Sequence, residues 1–77
     1  MAVPLVLSNG DLLDPDMIHS VVKFPGKGVA VRNGYNKIAN FIREADERRQ
    51  AIIVKVLLAV LSNRDWTQPV WEDEFRA

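Results

Sequence analysis

Asp11, Asp14 and Asp16, His19, Ser20 and Ser62, and Lys27 between two glycines are residues whose types and positions invite a search for chemistry. Asp11, Asp14 and Asp16 offer hard oxygen ligands that could gather around a divalent cation. They lack the spacing and the closing glutamate of an EF-hand loop, so turn and capping roles are the simpler assignment. His19 is the only histidine and the chain has no cysteine, so these residues predict no zinc site. No triad assembles around Ser20 or Ser62, because one imidazole cannot be placed beside either from spacing alone. Pro25-Gly26-Lys27-Gly28 superficially suggests a phosphate loop. A P-loop needs two glycines five apart, then Lys and a hydroxyl residue for Mg²⁺. Here Gly28 follows the lysine and no earlier glycine stands at the right distance, which leaves a hairpin turn. Glu72-Asp73-Glu74 could imitate phosphates, but an acidic tail is more often merely solvated. The expectation is a non-enzyme with no cofactor or metal.

The elements that must position any surface begin with Ala51 to Leu61, in which only Lys55 is polar. We expect it to form the body of a helix. Asp46 suits the N-cap, since its carboxylate can accept from unpaired first-turn N–H groups. Glu47 then favours the helix dipole, and the helix should stop near Ser62-Asn63. At helical spacing Ile52, Val56 and Val60 form one stripe, with Ile53 and Leu57 beside it. Val54, Leu58 and Leu61 lie further round, so the apolar arc exceeds what a surface helix needs. A β-branched run of this length also reads as a buried strand. A third reading starts the helix at Asn36.

Upstream, Val3, Leu5 and Leu7 alternate as one face of a strand, which Pro4 confines to an edge. Asn9-Gly10 marks a hairpin turn, and Leu12-Leu13 can return as a short strand. Asp14-Pro15-Asp16 breaks regular structure. Met17 to Phe24 is a plausible strand with Ile18, Val22 and Phe24 on one face. After the Pro25–Gly28 turn, Val29 to Arg32 forms the next strand, and Asn33-Gly34 signals a second Asn-Gly hairpin. With that dipeptide as a two-residue loop, Val29, Val31, Ile38 and Ile42 share the inner face. Ala30, Arg32, Tyr35, Lys37 and Phe41 then share the outer one. The predicted fold is α+β: a small antiparallel sheet of four to five short strands, one C-terminal helix and an extended tail. Residues 1–63 form a single domain in this reading, and residues 64–77 a Trp-containing acidic tail.

The 77 residues fit one domain with a small core, and 48% hydrophobic with 26% charged residues is ordinary globular material. The start lacks a basic region and a long apolar stretch, so a signal peptide is not expected. The apolar run is about half of the ~20 residues that a membrane span requires. A cytoplasmic protein with no membrane association is the expectation. The net charge is zero but unevenly spread. Residues 17–43 carry Lys23, Lys27, Arg32, Lys37 and Arg43 without an acid, while the three acids of residues 1–16 meet no base.

The order of Leu7-Ser8-Asn9-Gly10, Pro15 to Val21, Val29 to Gly34, and Glu44-Ala45-Asp46-Glu47 before a helix resembles the small flagellar FlbD/SwrD-type proteins. The similarity covers about residues 3–52. It implies hairpins plus a C-terminal helix and brings no catalytic residues with it. The apolar helix and the Trp-rich tail depart from that pattern.

Two surfaces follow. Trp66 and Trp71 are of the type enriched at interface hot spots. With Val54, Leu58 and Leu61 they form the candidate partner-binding set. On the central hairpin, Lys23, Lys27, Arg32, Tyr35 and Lys37 with Phe41 interleave cations and rings, as single-stranded nucleic acid requires. Zero net charge weighs against a dedicated nucleic-acid binder. The sequence therefore predicts a protein–protein interaction module, a regulator of phage or plasmid type that docks on a larger complex such as the transcription apparatus. The alternatives are a nucleic-acid-binding domain and a structural homodimer.

Overall fold

In the computed structural model, which describes residues 4–63 and 65–76, the Asp46 side chain accepts from the Arg49 N–H at 2.9 Å. This cap opens helix α1, Glu47–Ser62, which ends at Asn63. Both alternatives for this region are thereby excluded: residues 51–61 are helical, and residues 38–43 form a strand. The buried stripe is Gln50, Ile53, Leu57 and Val60, at steps of three and four residues. It is turned slightly from the expected one, since Ile52 and Val56 are only half-buried.

Strands β1 (Leu5–Val6) and β2 (Leu12–Leu13) pair antiparallel as a two-stranded ladder. Between them the Leu7 N–H donates to the Asp11 carbonyl at 2.8 Å, and the Gly10 N–H to the Leu7 carbonyl at 2.9 Å. Gly10 has φ +90°, so the loop has three residues and closes through a left-handed glycine, where a two-residue turn was expected. Leu5 and Leu7 are buried as anticipated; Val3, their proposed companion, lies outside the described residues. Asp14 then accepts from the Asp16 N–H and caps a 3₁₀ turn, Pro15–Met17. Because that turn continues to the Ile18 N–H, the following strand starts at Ser20, not Met17.

A meander follows: β3 (Ser20–Phe24), β4 (Gly28–Arg32) and β5 (Ile38–Arg43), in that spatial order. Pro25 and Gly26 occupy the centre of the first turn. Gly26 has φ +74° and the Lys27 N–H donates to the Phe24 carbonyl at 3.0 Å, the geometry of a type II turn. The second turn overturns the expected register. Arg32 pairs with Ile38, not Tyr35, and Val29 with Ile42, with a bulge between Val31 and Arg32. Asn33, not Gly34, organises this longer loop: its Oδ1 accepts from the Tyr35 and Lys37 N–H groups at 2.9 and 3.2 Å. The left-handed residue is Asn36, at φ +60°. The shift moves Ile38 to the outer face, where it is 53% exposed.

The inner face of the meander meets α1. Val29, Val31 and Ile42 join Ile53, Leu57 and Val60 in one core, which Leu5, Leu7 and Leu13 close. The chain is thus an α+β fold, and its described residues form five strands divided between two ladders.

The tail returns to this core. Its end forms a short helix, α2, Trp71–Arg76, where extended chain was expected. Spacing of four residues puts Trp71 and Phe75 on one side of α2. Both rings, together with Trp66, pack against the core.

Candidate docking surfaces

The tail is held by polar contacts as well as rings. The Gln68 side-chain amide reads the backbone of Val6 in both directions. Its Oε1 accepts from the Val6 N–H at 3.1 Å, and its Nε2 donates to the Val6 carbonyl at 3.0 Å. The Trp71 indole N–H donates to the same carbonyl at 2.8 Å. At the other end Arg48 donates to the Phe75 carbonyl at 2.9 Å, and the Arg49 guanidinium lies 4.2 Å above the Phe75 ring. The expected partner-binding set is therefore divided. Trp66 and Trp71 are half-buried against the core of their own chain. Val54 is likewise half-buried in the core. Leu58 and Leu61 remain on the surface, 47% and 37% exposed.

Side chains alternate across a strand, so the register fixes the outer face of the meander. Val22, Phe24, Gly28, Ala30, Arg32, Ile38, Phe41 and Arg43 belong to it. Phe24 and Phe41 lie 6.1 Å apart between ring centres. The Phe41 ring reaches over Gly28, whose missing Cβ would stand 3.0 Å from it. Helix α1, the first ladder and the tail rings all gather on the opposite side, in the core. The outer face thus looks out to solvent, with Phe41 38% exposed beside Ile38.

Its charge is one-sided. Arg32 and Arg43 are its ionised residues, and neither forms an ion pair among the described residues. The Arg32 Nη1 donates to the Asn36 side chain at 3.2 Å, while its Nε is buried without a partner. Of the other residues assigned to a nucleic-acid surface, Lys23 sits on the inner face, 3.7 Å from Glu47. Tyr35 and Lys37 belong to the loop, Tyr35 being 82% exposed, and Lys27 to the type II turn. The structure therefore does not assemble that set on one sheet face. Val22, Phe24 and Arg43 share the outer face by simple strand alternation, and Ile38 joins them only through the bulged register.

The residues suited to chemistry stand apart. Lys27 uses its N–H to close its turn, not to cradle an anion. Asp11 accepts from the Asn9 side-chain amide, and Asp14 is a cap. His19 is exposed. Among the described residues no three His, Cys, Asp or Glu side chains group as metal ligands, and no helix is long and apolar enough to cross a membrane. An open groove of about 290 Å³ runs between α1 and the tail, lined by Lys55, Val56, Ala59, Trp66, Pro69 and Glu74 among others. Buried Gln50 donates to the Phe24 carbonyl at 3.1 Å and ties α1 to the end of β3. No family model, no curated protein and no solved structure matches this chain.

Proposed function

We propose that this chain is a non-enzymatic protein–protein docking module, working in the cytoplasm as a small regulator of phage or plasmid type. It seats on a larger host complex such as the transcription apparatus. The observation that supports this is the outer face of the meander, an apolar sheet surface that no layer among the described residues covers. Apolar area of this kind, rimmed by charge, is characteristic of protein contact sites. Leu58 and Leu61 extend the apolar surface on the helix side. The tail tryptophans serve the module by fixing its shape, since their rings are spent on the core. The order of hairpins and helix that resembles FlbD/SwrD-type proteins assigns no residue a role and does not alter the choice.

The test is affinity capture from the native host with identification by mass spectrometry, using the wild-type chain and Phe41→Asp. One stoichiometric protein retained by the wild type and lost from a folded Phe41→Asp variant supports docking through this face. Equal capture by both would remove the face from the reading. Retention of nucleic acid alone would replace docking with the nucleic-acid alternative.

A further inference from the structure

We propose that the outer face of the meander takes an acidic segment with apolar side chains from a partner protein; this rests on the docking reading and names its ligand chemistry. The centre of the face is apolar: Ile38 and Phe41 are exposed, Val22 and Phe24 are half-buried, and Ala30 lies buried between them. Its two ends carry Arg32 and Arg43, which are diagonally placed, because Arg32 pairs with Ile38 and Arg43 with Gly28. Among the described residues no acid shares the face to neutralise them. A ligand that covers the apolar centre must bring carboxylates to both arginines or leave them beside excluded water without a counter-charge. Guanidinium groups suit this role, since they receive carboxylates through two parallel hydrogen bonds.

Charge also decides among occupants. A second copy docked face to face would set arginines against arginines, and like charges opposed in an interface are unfavourable. Single-stranded nucleic acid would satisfy the arginines. It would find aliphatic Val22 and Ile38 where stacking platforms are needed, and Phe24 and Phe41 turned 52° to one another. Addition of a strand along β5 is opposed by the bulge near Arg32, since bulges disrupt the flat edge that pairing requires. A side-chain-mediated contact with an acidic, apolar segment is what remains.

The experiment uses the full chain, labelled with ¹⁵N, and three probes. The first is a twelve-residue peptide in which Glu alternates with Leu and Phe. The second has every Glu replaced by Gln, and the third is a twelve-nucleotide oligothymidine. The acidic peptide should shift the amide resonances of Val22, Ala30, Ile38 and Phe41. Its affinity should fall about tenfold in the Gln version and about tenfold with Arg43→Glu, a change at an exposed residue with no ion pair among the described residues. The Gln peptide probes the charge on the unaltered protein, so the test survives a misfolded variant. Equal binding of the Glu and Gln peptides, or no binding by either, would overturn the acidic ligand. Shifts confined to Leu58 and Leu61 would overturn the site while leaving the docking reading intact. Tighter binding of oligothymidine on this face would overturn both.

Discussion

At the residue scale, two glycines of the meander invite opposite expectations. Gly28 is buried beneath Phe41, and a Cβ there would collide with the Ile42 carbonyl as well as approach the ring. Gly28→Ala should therefore cost about 1–3 kcal/mol, the range for an overpacked site. Gly34 has open space around its missing Cβ and no left-handed φ. Gly34→Ala should stay within about 0.5 kcal/mol of the wild type. Urea denaturation of both variants checks the pair, and equal losses would contradict the register described above. The contrast shows where sequence reading stops. An Asn-Gly dipeptide advertises a tight turn, yet Asn33 has four polar or flexible residues after it and uses its side chain to hold a longer loop. Dipeptide chemistry fixes neither loop length nor register when several polar residues follow it. Asp46, by contrast, was legible, because a cap needs only its own next three residues. Asp46→Ala should lower stability by about 1 kcal/mol.

At the element scale, α1 and the two early hairpins could be read from local pattern. For the tail, the excess apolar arc of α1 calls for a cover but not for its anchor: Gln68 and Trp71 are held by Val6, 62 and 65 residues away. That separation also hid the candidate surface, since it depends on which rings the core consumes and which it leaves outside. The tail's hold on β1 gives a graded prediction. Trp71→Phe keeps an aromatic ring and removes the indole N–H, so it should cost about 1 kcal/mol, one hydrogen bond. Ending the chain after Asn63 also withdraws three half-buried rings and should cost on the order of 3 kcal/mol. Hydrogen exchange at the Val6 amide separates the two causes, because that amide donates to Gln68. Truncation should speed its exchange strongly, Trp71→Phe far less. Unchanged protection in the truncated chain would mean that the tail does not lock the edge of β1.

At the scale of the whole molecule, zero net charge conceals a partition. Glu44 and Glu47 are engaged with Arg49 and Lys23, whereas the arginines of the outer face have no acidic partner among the described residues. The chain should therefore remain monomeric at low salt, because face-to-face association brings only cations together. Sedimentation equilibrium should return the 8.7 kDa of a single chain. The same partition limits any contact with nucleic acid. Two arginines on the face neutralise about two phosphates. Counterion release then gives a log–log salt slope of magnitude about 1.4 for a single strand. Oligothymidine titrations from low to moderate salt measure it directly. A slope approaching 3 would require about four phosphates. That would bring Lys27 and Lys37 from the two loops into one track with Arg32 and Arg43, and the face would then belong to a polyanion. A slope near 1.4, with weak binding throughout, fits a surface whose adhesion comes from Ile38 and Phe41 and whose arginines select an acidic partner.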